Sequence, residues 1–197
     1  MFMTKTWSLS EAIKRTGVLK EGHFLLSSGR HSARYMQCAQ LLQHPQEAEA
    51  VGQALSDLFK DQKIDLVVGP ALGGVIIAHE VARALGVRCL FTERKAGTME
   101  LRRGFTIQPG ERVLVIEDVV TTGGSVKEVI KVLEGLGAEI VAIGSMVNRN
   151  QGQNPFQYPY QALTEIHIES YTPEECPLCQ QGIPVIKPGS RSTLKEA

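Results

Sequence analysis

Short apolar runs alternate with longer segments of helical periodicity through the middle of the chain. The apolar runs lie at Asp65–Pro70, Val87–Phe91, Val113–Ile116 and Ile140–Ile143. Uninterrupted runs rich in β-branched residues are typical of strands buried on both faces of a parallel sheet. Apolar residues three or four positions apart predict helices over residues 45–59 and 73–85 and after residue 125. This repetition of strand and helix predicts a parallel, right-handed α/β core.

The segments on either side of this core follow different patterns. Residues 8–16 predict a short helix, and residues 22–38 predict strands around a turn. After Arg149 a polar loop leads to another strand candidate at residues 162–168, and the Pro-rich, charged tail from Lys187 is expected to be mobile. The 197 residues contain no internal repeat and no linker, so we expect a single domain.

The charge balance and the character of the N-terminus argue against several classes of protein. Lys+Arg and Asp+Glu each total 21, which gives a net charge of zero and a pI of about 7.0. Such a balance does not favour a partner among nucleic acids or membrane surfaces. The first residues lack the apolar region of a signal peptide, and no stretch reaches membrane-spanning length. We therefore expect a cytoplasmic protein.

The four cysteines are too few and too scattered for the disulfide framework of a secreted protein, which also indicates a reducing compartment. Cys176 and Cys179 have the C-x-x-C spacing of zinc sites, but Cys38 and Cys89 lie in predicted core strands and do not form a second pair. A single C-x-x-C is more often a reduced pair or a local turn than a metal site. The sequence favours that interpretation and leaves metal binding open.

The stretch Val113–Ser125 carries the clearest chemical signal. Glu117 and Asp118 stand where the predicted strand ends, and hydroxyl-bearing residues and glycines follow at 121–125, before a helical pattern. Small residues allow backbone N–H groups to converge on an anion, and a helix N-terminus adds partial positive charge. Carboxylates beside an anion site suggest a ligand with both vicinal hydroxyls and a phosphate, such as a ribose phosphate. Neither a Walker lysine nor a G-x-G-x-x-G motif is present.

This stretch resembles the ribose-phosphate signature of the type I phosphoribosyltransferases, and among them the chain is most similar to the orotate phosphoribosyltransferases. The similarity covers nearly the whole length and includes Gly29–Ser32, Gly69–Gly74, Glu93–Lys95 and Asn148–Arg149. It implies an α/β fold with a central, mostly parallel sheet flanked by helices. The implied divisions are a core at residues 45–150, a small hood from 1–44 and 151–186, and a tail at 187–197.

The activity implied by the resemblance is the transfer of a 5-phosphoribosyl group from phosphoribosyl pyrophosphate to orotate, in de novo pyrimidine biosynthesis. The products are orotidine 5′-phosphate and pyrophosphate. Glu117 and Asp118 would hold the ribose hydroxyls, and the turn at Gly69–Gly74, often with a non-proline cis peptide in the family, would bind pyrophosphate. The remaining implied binding residues for phosphoribosyl pyrophosphate are Val119, Val120, Thr121, Thr122, Gly123, Gly124, Ser125, Ala71, Leu72, Arg94 and Lys95.

Three residues are implied to contact orotate. Thr121 occupies the position where hypoxanthine/guanine-type enzymes have an Asp that handles a purine proton. Arg149 follows a predicted strand, and its guanidinium suits bidentate recognition of a planar carboxylate or imide edge. Ser27 stands where many family members have a lysine, so a contact from its backbone or hydroxyl is expected.

The basic segment Arg94–Gly110 is predicted to be a functional loop that closes over the site and excludes water. Many orotate enzymes have a further Lys and a His in this loop, and this chain has Thr98 and Glu100 near those positions. Arg94 is implied to bind the substrate. We expect the catalytic charge of the loop to come from Lys95, Arg102 and Arg103.

Mg²⁺ is the cofactor implied by the resemblance, bound mainly through the substrate rather than by a protein cage. A homodimer is also implied, with the loop of one subunit reaching the site of the other. Two alternatives remain: a purine or xanthine phosphoribosyltransferase, and a non-catalytic regulator that senses phosphoribosyl pyrophosphate or binds RNA. Thr121 and Arg149 argue against the first, and the zero net charge argues against RNA.

Overall fold

The computed structural model describes residues 7–26 and 28–188. The helices are α1 (Leu9–Thr16), α2 (Ala39–Leu42), α3 (Pro45–Asp57), α4 (Gly73–Leu85), α5 (Gly124–Gly135) and α6 (Pro177–Gln180). The strands are β1 (Leu19–Leu25), β2 (His31–Met36), β3 (Leu66–Pro70), β4 (Arg88–Lys95), β5 (Thr98–Leu101), β6 (Arg112–Val120), β7 (Glu139–Asn148) and β8 (Tyr160–Glu165). Among these described helices, none combines the length and the apolar character needed to cross a bilayer.

The main sheet has six strands in the order β5-β4-β3-β6-β7-β8. Five of them are parallel, and only the edge strand β5 runs antiparallel to its neighbour. The predicted α/β fold with a mostly parallel sheet is therefore confirmed. The order of the strands reverses between β3 and β6, since β4 lies beyond β3 and β7 lies beyond β6. The loops that follow β3 and β6 therefore leave the sheet at a switch point, where open α/β sheets bind ligands.

The sequence of β6 is apolar without interruption from Val113 to Ile116 because both faces of this strand are buried. Successive side chains of a strand point to opposite faces. Leu114 and Ile116 contribute to an apolar cluster with helices α1 to α4, and Val113 and Val115 contribute to a second cluster with α5. All four side chains are fully buried. Helices on both faces thus hold the strand that ends in the acid pair.

Residues 94–110 are not a loop throughout, which corrects the expectation from the sequence. Strand β4 extends to Lys95, turns at Ala96–Gly97 with both residues at positive φ, and returns as β5. Paired positive φ values are typical of a tight two-residue hairpin turn. Met99 of β5 is buried in the same apolar cluster as Ile107. Met99 and Leu101 alternate with the polar residues Thr98 and Glu100, which is the period of a strand.

Strands β1 and β2 form a separate antiparallel ribbon, and the C-terminal segment pairs with it. The amide of Leu25 donates to the carbonyl of Ile186 at 2.9 Å, and the amide of Ile186 donates to the carbonyl of His23 at 2.8 Å. His31 and Tyr171 exchange two backbone hydrogen bonds of 2.8 Å. The two ends of the described chain are therefore joined to each other.

We expect Leu114→Ala to lower the free energy of unfolding by about 2–5 kcal/mol, because it leaves a cavity between β6 and the surrounding helices. Leu136→Ala is the matched control, since Leu136 follows α5 and is 42% exposed. Urea denaturation followed by circular dichroism measures both. Equal losses in the two variants would contradict the placement of Leu114 in the core.

Candidate active site

Glu117 and Asp118 lie near the carboxyl end of β6, next to the switch point. Glu117 is only 8% exposed although it bears a carboxylate. The amide of Asp118 donates to Glu117 Oε1 at 3.1 Å, and the amide of Val119 donates to Asp118 Oδ1 at 2.8 Å. These contacts hold both carboxylates close to the backbone of their own strand.

Burial dominates the electrostatics of the acid pair. It raises the pKa of Glu117 well above its usual value, and the neighbouring Asp118 raises it further. Burial also raises the pKa of Asp118, while hydrogen bonds from Glu117 and from the amide of Val119 oppose the rise. Without a ligand the pair therefore tends to retain a proton, because two buried carboxylates do not ionise together readily.

The loop after β6 lines a small cavity at the N-terminus of α5. Gly123 has φ 74° and precedes the first residue of α5, and an added Cβ there would lie 2.5 Å from the ring of Phe156. Glycine is therefore required at this turn. The residues around the loop enclose a cavity of about 50 Å³, which is several times the space that one water needs. With the N-terminus of α5 at its edge, this cavity suits a phosphate group.

The loop after β3 touches the acid pair directly. A Cβ added to Gly73 would lie 2.7 Å from Asp118 Oδ2, and one added to Gly74 would lie 3.1 Å from Glu117 Oε1. The peptide bond between Ala71 and Leu72 is cis, as the resemblance implied. The two strand-end loops thus meet through the acid pair, and glycines permit their close approach.

Arg149 lies at the end of β7 on the same edge of the sheet. Its amide donates to the carbonyl of Val120 at 2.7 Å. Within the described part of the chain its buried Nε has no hydrogen-bond partner. Burial lowers the pKa of Arg149, and nearby Tyr35 and Cys38 oppose this shift. A buried guanidinium nitrogen without a partner is costly unless a ligand completes its hydrogen bonding.

Tyr35 and Cys38 are neighbours of the site that the sequence did not reveal. Burial raises the pKa of Tyr35, and Asp118 raises it further. Burial likewise raises the pKa of the Cys38 thiol, with Asp118 and Glu117 adding to the effect. These residues come from β2 and the turn after it, far along the chain from β6. Cys38 was expected only as a core residue, because no local pattern links it to the acid pair.

Three arginines on the β4–β5 hairpin or directly after it form ion pairs with carboxylates. Arg103 makes two hydrogen bonds of 2.8 Å to Glu93, and Arg102 approaches the same carboxylate at 3.2 Å. Arg94 binds both carboxylate oxygens of Glu128 on α5, at 2.5 and 2.9 Å. Lys95 is exposed, and over residues 7–26 and 28–188 it has no ion pair.

The structure therefore brings most of the predicted binding residues to one edge of the sheet. That edge carries the loops at 71–74 and 117–125 together with Arg149. It does not bring Lys95, Arg102 or Arg103 into hydrogen bonds with residues 117–125, within the part of the chain that it describes. Ser27, predicted to contact orotate, and the tail beyond residue 188 lie outside the described residues.

A family profile for the phosphoribosyl transferase domain matches residues 37–177. The chain belongs to the phosphoribosyltransferase family. Among its relatives in the family, the orotate phosphoribosyltransferase of Desulforamulus reducens is 54% identical over 177 residues, which cover 90% of this chain and 93% of the relative. The orotate phosphoribosyltransferase of Thermotoga maritima is 53% identical over 183 residues, which cover 93% of this chain and 98% of the relative.

Solved structures of the family share the fold. The orotate phosphoribosyltransferase of Aeropyrum pernix matches with a TM-score of 0.65 at 25% identity, over 80% of this chain and 94% of that one. The UMP synthase of Leishmania donovani matches with a TM-score of 0.70 at 26% identity, over 80% of this chain and 36% of that longer one. The predicted type I phosphoribosyltransferase fold is thereby confirmed.

The raised pKa of Glu117 leads to a prediction about stability. At pH values between the pKa of Glu117 in the unfolded chain and its higher pKa in the native state, the native state binds more protons than the unfolded state. The free energy of unfolding therefore falls as pH rises through that range, by up to about 1.4 kcal/mol per pH unit. We expect Glu117→Gln to remove this contribution. The variant should therefore gain stability relative to the wild type as pH rises from 5 to 8, and the gain should disappear at low pH.

Urea denaturation of ligand-free protein at several pH values measures this difference. Glu174→Gln is the control, because it removes one carboxylate at an exposed position. A stability difference between Glu117→Gln and wild type that stays constant from pH 5 to 8 would contradict the raised pKa.

Proposed function

We propose that this protein is an orotate phosphoribosyltransferase that joins orotate to the ribose of phosphoribosyl pyrophosphate. The observation that carries the proposal is the contact of Asp118 with Gly73, which unites two anion-binding loops around one acid pair. A substrate with a phosphate, two ribose hydroxyls and a pyrophosphate matches the loop at 121–125, the acid pair and the turn at 71–74, in that order. The identity of 53–54% to orotate phosphoribosyltransferases over about nine-tenths of the chain supports the same choice.

In this proposal the acid pair holds the two ribose hydroxyls. Each hydroxyl donates a hydrogen bond, and donors favour the ionised form of a carboxylate. Binding of substrate would therefore release the proton that the pair tends to retain. The negative charge of Glu117 and Asp118 then stabilises the positive charge that develops on the ribose ring as the bond to pyrophosphate breaks. Catalysis rests mainly on positioning and on electrostatics.

Residues 121–125 would bind the 5′-phosphate in the cavity beside α5, and the turn at 71–74 would bind pyrophosphate. Arg149 would complete its hydrogen bonding with the carboxylate or the imide edge of orotate, which accounts for its unpartnered Nε. Thr121 is exposed next to this position and offers a hydroxyl in place of a carboxylate base. A purine acceptor, the alternative, would benefit from a carboxylate at Thr121.

Mg²⁺ fits the donor set of the site, because carboxylate oxygens are the ligands that this hard cation prefers. Glu117 and Asp118 would hold it with the help of the substrate. When bound, Mg²⁺ neutralises charge on the pyrophosphate.

We also propose a cytoplasmic homodimer in which the hairpin of one subunit serves the site of the other. The support is the bonding of the cations: among the described residues, Arg102 and Arg103 bind Glu93 rather than residues 121–125, and Lys95 forms no ion pair. Arg102 and Arg103 share Glu93, so closure would exchange that carboxylate for pyrophosphate oxygens. The side chains of Arg102 and Arg103 are 39% and 60% exposed, so they can reach a ligand from solvent, whereas that of Glu93 is only 17% exposed.

The substrate assignment is tested by following base consumption with phosphoribosyl pyrophosphate and Mg²⁺. We expect turnover of orotate and none of hypoxanthine or xanthine. Arg149→Lys should raise the KM for orotate by about tenfold to a hundredfold, because an ammonium cannot replace the guanidinium fork. Arg83→Lys is the control at an exposed arginine of α4. Absence of orotate turnover would refute the assignment, and an unchanged KM in Arg149→Lys would refute the role of Arg149.

The shared-hairpin arrangement is tested by co-expressing Glu117→Gln with the Arg102→Ala/Arg103→Ala double variant under two different affinity tags. If the hairpin acts on the partner, a doubly tagged dimer has one intact site and should retain about half of the wild-type rate. If it acts within its own chain, both sites lack one component and the mixed dimer should be inactive. Full activity of the Arg102→Ala/Arg103→Ala homodimer, or a monomer in sedimentation, would contradict the proposal.

A further inference from the structure

A second cluster of reactive side chains lies in the hood, apart from the acid pair. It consists of His23 on β1, His31 at the start of β2, Cys176 directly before α6 and Cys179 within α6. One ligand atom from each residue lies within 4.8 Å of all the others. The histidines, which the sequence did not connect with the C-x-x-C motif, take the place of the missing second pair of ligands.

The spacing of the four atoms is close to that of a tetrahedral metal site. His23 Nε2 lies 2.9 Å from His31 Nδ1, 3.4 Å from Cys176 Sγ and 3.6 Å from Cys179 Sγ, and His31 Nδ1 lies 3.2 Å from Cys179 Sγ. Tetrahedral Zn–N bonds of about 2.0–2.1 Å and Zn–S bonds of about 2.3 Å place neighbouring ligand atoms roughly 3.3–3.8 Å apart. These four distances lie within a few tenths of an ångström of that range, and the remaining two are at most 4.8 Å.

The hydrogen bonding of His23 prepares it to be a ligand. Its Nδ1 lies 2.7 Å from the carbonyl oxygen of Ile183, which can only accept a hydrogen bond. A neutral ring must then carry its hydrogen on Nδ1, which leaves the lone pair of Nε2 directed at His31 and the two sulfurs. Metal-binding histidines characteristically donate their other N–H to such a carbonyl.

Burial favours a metal over a set of isolated polar groups. His23, His31 and Cys176 are buried, and Cys179 is partly exposed. Two imidazoles and two thiols in contact satisfy one another's hydrogen-bonding groups poorly, because His23 Nε2 faces three groups and can form a good hydrogen bond with only one. A single cation satisfies all four ligands at once.

The described segment after α6 contributes little to the apolar core. Ile183, Val185 and Ile186 are 41%, 44% and 59% exposed, so the chain after α6 buries little apolar surface. It is bonded to β1 through the backbone of Ile186 and through the hydrogen bond between His23 Nδ1 and the carbonyl of Ile183. Small regions with a weak core commonly depend on a metal or a disulfide.

We propose that His23, His31, Cys176 and Cys179 bind one structural Zn²⁺ that fastens the C-terminal segment to the β1–β2 ribbon. Each thiol loses its proton to solvent on binding, so that two thiolates balance the charge of the cation. The set of two sulfurs and two nitrogens favours zinc over harder cations such as Mg²⁺. Four protein ligands leave no open position, which makes the site structural rather than catalytic.

The test is the metal content of the untagged full-length protein, purified under reducing conditions and measured by inductively coupled plasma mass spectrometry. We expect about one zinc per chain in the wild type and less than about a tenth in Cys179→Ser and His23→Gln. Cys89→Ala is the matched control, because Cys89 lies on β4 away from the cluster, and it should retain its zinc. Zinc that persists unchanged in both ligand variants would overturn the proposal.

Two further measurements keep the proposal falsifiable if a variant fails to fold. Wild-type protein stripped with a chelator should unfold at a lower temperature and recover on addition of Zn²⁺ alone. Cobalt substitution should produce the visible absorption of a tetrahedral thiolate site. A wild-type protein that lacks metal and does not take up added Zn²⁺ would refute the site, as would a Cys176–Cys179 disulfide in the protein as purified.

Discussion

Two adjacent carboxylates held out of water near the end of β6 impose the main constraint on this structure. Burying them is unfavourable, because each loses its hydration and each repels the other. The fold tolerates the pair by supplying amide hydrogens from Asp118 and Val119 and by placing Gly73 and Gly74 against the carboxylates. In the proposed function, ribose hydroxyls that donate to these carboxylates would offset the remaining cost.

The order of the strands explains why the other binding groups gather around that pair. Because β3 and β6 are neighbours at the point where the sheet reverses direction, their loops leave the same edge and meet. Arg149, at the end of β7, arrives at the same edge, with a buried nitrogen that no described residue satisfies. Tyr35 on β2 and Cys38 in the turn after it lie near Asp118. Arg102 and Arg103, directly after the β4–β5 hairpin, share the partly buried carboxylate of Glu93.

The C-terminal segment is held in place by different interactions from those of the core. The core buries apolar side chains on both faces of the sheet, whereas the C-terminal segment leaves Ile183 and Ile186 largely in solvent. Backbone hydrogen bonds and the cluster around His23 hold this segment in place. A metal at that cluster would stabilise the C-terminal segment as apolar burial stabilises the core. Because His31 begins β2, the metal would also hold the strand that positions Tyr35 and Cys38 beside the acid pair.

The sequence by itself determined the features that depend on near neighbours in the chain: the apolar strand β6, the acid pair, the glycine turn at Gly123 and the parallel α/β core. These follow from periodicities of two and 3.6 residues and from the backbone needs of short turns. Only the tertiary structure decided three other features. Residues 98–101 form strand β5 with Met99 buried, and Arg102 and Arg103 share Glu93. His23 and His31 lie against the C-x-x-C motif. His23 and Cys176 are about 150 residues apart in the chain, and no local pattern records such a contact. It arises because the C-terminal segment pairs with the β1–β2 ribbon at Phe24 and His31.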